Sequence, residues 1–535
     1  EGESGVSRTI HAGDRSLKFD EAIAELKLTG FEGAVHAMIV ADEKLFVTTQ
    51  AGSIYCFAES GTAAASAKVW NEPETPLTAN PQSRTLAAGL VAEAASPHGV
   101  AVVLGLSDGD LVRALLRASN YHVIAVDNDV DRVAQLRSEL QSAGMYGTRA
   151  AVLHGDPRTV SLPQYLATLI TTEIPDGLQD VSPAVLQSLR PFGGVAALGI
   201  KQGSQFASKD SLKSQKPGQF LAGEFNSSVL IRRIGALPGT ADYRGNYAHC
   251  EDALVRFPLG VLWFDDTLAH FKRSPQPLFK NGVMVSRPKD WHALRWKGGG
   301  SADYPLMRPV LSDIYTGRIF DESEEAALRK SLPPLDLKTP QQSYYHAPDQ
   351  KTALLPNPPD PILAGERVNP MTGLKEPRIF PKTYGCDGGV DYGMFYTLRS
   401  GTAAFYDKTL ESGTVFISGP RSGCTNSIIP SGGLLNVPYF YEGCTCSYPL
   451  PTALSMVAMP ETHEQWSSWG DDAVKPASIE RIGLNFGAPG DRKTRDGTLW
   501  LDYPSVGGPS PQIKVVTKPE NPTFHYRHSN WMKGG

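Results

Sequence analysis

The sequence lacks any run of about 18 apolar residues, the length a helix needs to cross a bilayer, so no spanning helix is expected. It also lacks a basic surplus. With 51 Lys+Arg against 56 Asp+Glu and a formal net charge of −5, there is no cationic face on which to rest a nucleic-acid partner. Cysteine is scarce, at six in 535 residues. Neither C-x-x-C-H nor C-x-x-C occurs, so no haem attachment motif is present and the usual zinc spacing is missing. The first residues, EGESG, contain neither methionine nor an apolar signal core, which points to a processed product or a piece of a longer chain. Charged residues at 20% and apolar residues at 41% are ordinary for a globular protein and give no sign of disorder.

What the chain does have is glycine and proline, 52 and 41 residues, a surplus that suits a loop-rich β architecture. The length suggests two to four domains. Residues 45–58 (LFVTTQAGSIYCFA) and 394–407 (MFYTLRSGTAAFYD) share one pattern, an apolar strand, a polar turn with glycine, and a second alternating strand. Gly52 and Gly401 fall at the same offset, as expected of two hairpins whose turns need positive φ. Two further segments, Asp313–Gly317 (DIYTG) and Asn369–Gly373 (NPMTG), share the turn element (D/N)-x-x-T-G. Four of the cysteines, Cys386, Cys424, Cys444 and Cys446, crowd into one glycine-rich stretch. Disulfides among them are favoured over four thiolates on zinc, and they imply an oxidising compartment, periplasmic or extracellular.

Between the two hairpin repeats the pattern changes. Residues 61–84 are small, polar and proline-containing and read as a linker. From 99 to 200 apolar strands alternate with amphipathic helices. In 131–144, Val133, Leu136, Leu140 and Ala143 recur at helical spacing. The strands are apolar throughout, as when helices cover both faces of a parallel sheet. This predicts a doubly wound α/β domain over 85–237. The first strand runs through Gly105, Ser107, Asp108 and Gly109 into a helix whose start offers free N–H groups. The second strand ends at Asp127, 18 residues beyond Gly109, and the third reaches Asp156. Such carboxylates can accept hydrogen bonds from a ribose and an adenine, or can simply cap helices.

This set resembles class I S-adenosylmethionine-dependent methyltransferases over roughly 150 residues, with Leu189–Gly194 (LRPFGG) similar to the turn before their fifth strand. The resemblance implies S-adenosylmethionine as cofactor, Gly105 and Gly109 on its methionine side, Asp127 on the ribose and Asp156 on the adenine. Two features depart from the family: Ser107 replaces a loop glycine, and Thr171-Thr172-Glu173 follows strand four where an aromatic-bearing motif stands in the family. No catalytic residue is assigned.

The flanking repeats resemble quinoprotein-like (PQQ-like) β-propeller blades, with Phe320 where the blade-docking tryptophan is expected. The Cys-rich run resembles planctomycete-type secreted propeller proteins. The expected fold class is therefore mixed, a β-propeller in blades over 1–60 and 238–470 interrupted by the Rossmann-like domain. A β-rich segment follows over 471–535, similar to the opening strands of a malectin-like sandwich. Trp500 and Tyr503 there are candidates for stacking on carbohydrate.

The blade resemblance does not extend to pyrroloquinoline quinone or Ca²⁺, and Asp313 and Asp407 read as turn residues. His525 and His528 read as tail residues and no metal site is assigned. The leading expectation is a secreted or periplasmic scaffold that engages a protein partner or larger assembly. An active methyltransferase is the alternative, and a quinoprotein dehydrogenase the second alternative.

Overall fold

The structure is a computed structural model. It describes residues 9–30, 32–58, 75–94, 96–174, 178, 181–199, 220–226, 228–245, 247–265, 277–286, 309–332, 362–380, 389–400, 402–417, 427–438, 452–469, 478–488, 490–505 and 510–520. The chain divides into two compact units, Glu1–Pro73 and Glu74–Gly535.

The first unit pairs β1 (Thr9–Ala12) with β2 (Arg15–Lys18), then forms α1 (Phe19–Glu25) and the antiparallel meander β3 (Val35–Ala41), β4 (Lys44–Thr49), β5 (Ile54–Phe57). Gly52, at φ +87°, makes the β4–β5 turn that the sequence placed there. Its core is Ile10, Phe19, Ala22, Met38, Leu45 and Val47.

The second unit begins with α2 (Pro81–Glu93), a helix that the hydrophobic pattern did not single out. Asn80 caps it by accepting from Ser83 N at 2.7 Å, and proline takes the first turn, where its missing N–H costs nothing. Next come β6 (His98–Leu104), α3 (Asp110–Ala118), β7 (Asn120–Asp127), α4 (Val130–Ser142), β8 (Ala150–His154), β9 (Ala167–Thr171), α5 (Pro183–Gln187) and β10 (Val195–Ala197). The hairpin β11 (Phe220–Phe225) and β12 (Ser228–Arg233) completes a seven-stranded sheet in the order β11-β12-β10-β9-β6-β7-β8. Strands β6 to β10 are parallel, and the hairpin is antiparallel at one edge.

Both faces of the parallel strands carry helices. One is covered by α2, α3 and α4 through Leu90, Leu111, Leu115, Val133, Leu136 and Leu140. The other is covered by α5 and its flanks through Val181, Val185, Leu186 and Leu189. From β6 the chain winds toward β8 on one side and resumes at β9 on the other. The strand order therefore reverses between β6 and β9, the position at which doubly wound sheets open a ligand crevice.

Beyond residue 240 the described residues form five separate sheets of two to four strands. They are β14 (Leu278–Lys280), β15 (Val283–Ser286) and β16 (Val310–Asp313); β17 (Ile362–Val368) with β18 (Lys375–Ile379); and the meander β19 (Val390–Asp391), β20 (Phe395–Ser400), β21 (Thr402–Asp407), β22 (Val415–Ile417). The fourth joins β13 (Leu259–Asp265) to β23 (Ile429–Ser431), β24 (Leu434–Val437) and β25 (Ala453–Ala458), with β13 on β25. The last holds β26 (Gly483–Phe486), β27 (Arg492–Lys493) and β28 (Leu499–Tyr503). A short helix, α6 (Glu322–Ser331), follows β16.

The fold is thus a strand-rich α/β mixture with a Rossmann-like portion. No closed ring of blades is seen among the described residues. The C-terminal strands pack through Leu499 and Leu501 onto Met371 and Trp469 and so share a core with the earlier sheets. Gly401, the four clustered cysteines Cys386, Cys424, Cys444 and Cys446, and the pair His525 and His528 lie outside the described residues.

The turn element noted in the sequence has a defined geometry. Asp313 Oδ1 accepts from Tyr315 N at 3.0 Å while its carbonyl accepts from Gly317 N at 2.8 Å. Asn369 repeats this with Met371 N at 2.8 Å and Gly373 N at 2.9 Å. A related Asx turn starts at Asp407, whose carboxylate accepts from Thr409 N and Leu410 N and whose carbonyl accepts from Ser412 N at 3.1 Å. Gly317 and Gly413, both at positive φ, lie under tryptophan rings, Trp263 and Trp469. Trp263, on β13, also donates from Nε1 to Ile314 O at 2.7 Å. Asp313 and Asp407 serve as turn residues, as read from the sequence.

Candidate functional site

At the reversal between β6 and β9 lies a cavity of about 490 Å³. Its floor is the β6–α3 turn at Ser107 and Asp108, with Thr171, Thr172 and Glu173 after β9. The N-terminal half of α2 walls it with Ser83 and Leu86, and Phe225 and Asn226 of the β11–β12 turn close it. Phe225 meets α2 at Gly89, where an added Cβ would stand 2.8 Å from the ring, so the wall depends on glycine there. A smaller cavity of about 160 Å³, lined by Gly109, Arg132, Gln135 and Glu139, lies on the α4 side. Ser107 and Asp108 line both.

Gly105 and Gly109 both adopt φ of +78°. A Cβ on Gly105 would lie 2.7 Å from Ile174, and one on Gly109 2.9 Å from Leu136. Internal packing therefore already demands glycine at both positions. The turn is pinned by Asp127, which is 1% exposed and accepts Leu106 N at 2.6 Å and Asp129 N at 2.7 Å. Arg132 adds a third bond at 2.9 Å from the solvent side. The carboxylate at the end of β7 thus stands where the sequence put it, with Arg132 across its outer edge. Asp156 lies after β8, half-exposed, and forms a two-pronged pair with Arg158 at 2.9 and 3.0 Å. That guanidinium hydrogen bond holds the Asp156 carboxyl below its ordinary range.

The free N–H groups expected at the start of α3 are not free. Glu173 Oε2 accepts from Ser107 N and Gly109 N, both at 2.9 Å, and Oε1 accepts from Leu111 N at 2.7 Å and Val112 N at 3.2 Å. Four donors of one turn and helix start converge on one carboxylate, which complements the positive end of the helix dipole. Sequence reasoning passed over Glu173 as part of a plain strand end. Its role depends on β9 lying beside β6, which no local pattern reveals. The wall helix α2 carried a readable signal in Asn80-Pro81, a cap followed by an N1 proline.

The floor and wall helices are braced together. Asn80 N donates to Asp110 Oδ2 at 3.1 Å, and Arg113 reaches Asp110 and Glu139, both at 2.6 Å. On the far side of the sheet Arg190, just after α5, forms a bidentate pair with Asp313 at 2.5 and 3.1 Å. Its guanidinium lies 5.5 Å from the Tyr315 ring centroid. This contact joins the seven-stranded sheet to the β14–β16 sheet.

No protein-family model matches the sequence, and no curated protein matches it. Among solved structures, a putative S-adenosylmethionine-dependent methyltransferase from Methanococcus maripaludis is 15% identical, over 29% of this chain and 85% of that one, with a TM-score of 0.24. A methyltransferase from Geobacter sulfurreducens is 18% identical over 30% and 81%, with a TM-score of 0.23. A S-adenosylmethionine-dependent methyltransferase from Thiobacillus denitrificans, in complex with S-adenosyl-L-homocysteine, is 20% identical over 24% and 50%, with a TM-score of 0.19. The chain is thus similar, over roughly three-tenths of its length, to S-adenosylmethionine-dependent methyltransferases of known structure.

Proposed function

We propose that the Rossmann-like portion binds S-adenosylmethionine and transfers its methyl group to an acceptor held in the larger cavity. The observation that carries this reading is the cavity itself. It opens at the strand-order reversal, and its floor is the turn that Asp127 pins. Asp127 would hold the ribose, exchanging its contact with Arg132 for ribose hydroxyls, and Asp156 would meet the adenine amine. Gly105, Ser107, Asp108 and Gly109 would line the path of the methionine portion. S-adenosylmethionine, when bound, supplies an electrophilic methyl group on a positively charged sulfur. The acidic floor of Asp108 and Glu173 suits that charge.

The acceptor side is lined by hydroxyl, amide and apolar groups, among them Asn80, Ser83, Thr171, Leu86 and Phe225. No histidine, lysine or tyrosine is among the described lining residues, and Glu173 is held by four N–H groups. The protein's contribution is then placement and exclusion of water, a kind of catalysis that can be large when two reactants are held in line.

Calorimetric titration of the full chain with S-adenosylmethionine and S-adenosylhomocysteine tests the reading. Micromolar affinity is expected, about −8 kcal/mol, with a loss of tenfold or more in Asp127→Ala, about 1.4 kcal/mol. Absence of binding of either compound at millimolar concentration refutes it.

A second reading, for the sheets beyond residue 240, is favoured by the recurring Asx turn with a glycine beneath a tryptophan. The sheets would form a blade-like scaffold that presents the methyltransferase-like portion to a protein partner. A hydrodynamic radius and mass equal to those of an isolated monomer in the native extract would remove the partner.

A further inference from the structure

The geometry points to Glu173 as the residue that decides the chemical class of ligand. Its carboxylate stands where a ligand phosphate would be held at α3, so the cleft admits a phosphate-free, cationic adenosyl compound and rejects nucleotides bearing a pyrophosphate. The inference rests on the functional reading above and narrows it.

Doubly wound sheets that bind dinucleotides place the pyrophosphate on the backbone N–H groups of the first turn and the helix that follows. In this chain those donors, at Ser107, Gly109, Leu111 and Val112, are consumed by a side chain of the same protein. A phosphate arriving there would find no free donor among them and a negative charge at contact distance. The cation beside the turn is already committed: Arg113, whose Nη2 donates to Asp108 O at 3.0 Å, is paired with Asp110 and Glu139, both at 2.6 Å. Lysine and arginine are missing from the described lining of the larger cavity. In the smaller one, Arg132 is already paired with Asp127 at 2.9 Å and Asp129 at 3.3 Å. A sulfonium or ammonium group meets the opposite situation, an anionic floor in a partly enclosed cavity. Like-charge juxtaposition is unfavourable, and opposite charge favourable, in such surroundings.

The test uses the full chain with three probes: S-adenosylhomocysteine, ADP-ribose and inorganic pyrophosphate. Wild type is expected to bind S-adenosylhomocysteine and to bind ADP-ribose at least about a hundredfold more weakly. Glu173→Ala vacates the α3 donors, so ADP-ribose and pyrophosphate should each gain about tenfold. Glu173→Gln keeps an acceptor for part of the N–H array while removing the charge, and it should gain less. This variant also guards against a loss of α3 in the alanine variant; far-UV circular dichroism reports on that helix.

Wild type that takes ADP-ribose as well as S-adenosylhomocysteine overturns the inference. So do folded variants that keep the wild-type discrimination. Should wild type bind neither adenosyl compound while Glu173→Ala takes up pyrophosphate, the methyltransferase reading falls and the role of Glu173 stands. Should S-adenosylhomocysteine bind and neither variant gain phosphate affinity, the reverse holds.

Discussion

Breaking the Arg190–Asp313 pair should loosen the junction between the two sheet systems, and the cost can be worked from its surroundings. Asp313 is 3% exposed, so removal of Arg190 leaves a buried carboxylate with, among the described residues, Tyr315 N and Thr316 Oγ1 as donors. Arg190→Met keeps an unbranched side chain while removing the charge, and should cost about 3–5 kcal/mol, as expected for an orphaned buried carboxylate. Asp313→Asn keeps an acceptor for Tyr315 N and should cost about 2–4 kcal/mol, because Arg190 retains the ring face and some water.

The double variant has no unpaired charge left, so it should fall short of the sum by about 2–3 kcal/mol. Global unfolding averages over both compact units, so a local readout is sharper for this contact. Hydrogen exchange at the Tyr315 and Gly317 amides is local, since both are held by Asp313. Faster exchange there in Arg190→Met, partly restored in the double variant, is the expected pattern. Energies that add within about 0.5 kcal/mol, or a single-variant cost below about 1 kcal/mol, would refute the reasoning.

Gly317→Ala should be much worse than Gly235→Ala, although both sites have positive φ. A Cβ at 317 meets Trp263 at 2.4 Å, while at 235 nothing lies within 4 Å. The first should lose about 3 kcal/mol or more and shift the Trp263 emission, the second only about 1 kcal/mol, as read by urea unfolding. Asp491→Asn should stabilise the protein at alkaline pH. Burial and the neighbouring Asp502 push the Asp491 carboxyl well above its ordinary value. The folded state therefore holds a proton that the unfolded state releases. Stability from this group is full below the ordinary carboxyl range and declines as pH rises toward the elevated folded value. The thermal midpoint of wild type should accordingly drop between pH 5 and pH 8 by more than that of Asp491→Asn, with a difference of about 1–3 kcal/mol at pH 8. Equal slopes for the two proteins would rule this out.

The parallel sheet was legible because its signal is local and redundant. Strands such as Val100–Leu104 are apolar without interruption, and Val133, Leu136 and Leu140 repeat at helical spacing. Asp127 was legible because it ends a strand at a readable distance from the glycine turn. Three features were hidden for different reasons. The helix α2 is poor in large apolar residues, burying Ala87 and Leu90, so only its cap announced it. Glu173 acts on residues 61–66 positions earlier in the chain, through strand order alone. Trp263 serves a turn some 50 residues onward, whereas the sequence pattern sought its tryptophan within the repeat. The blade-like hairpins were read correctly as antiparallel strands, but closure into a ring depends on long-range pairing that such motifs do not encode.

One such pairing bears on how the chain is made. Strand β13 finds its partner β25 about 190 residues later. At a ribosomal rate of about 5–20 residues per second, β13 waits roughly 10–40 s for that partner to be synthesised. Throughout this interval the seven-stranded sheet, all of whose strands lie before residue 234, can already have folded. The nascent β13 meanwhile shows an unpaired edge with Val261 and Phe264, side chains that stay exposed even in the finished protein. Cotranslational aggregation should therefore be governed by this strand, and charge placed at Val261 or Phe264 should raise the soluble yield while leaving the native fold as it is.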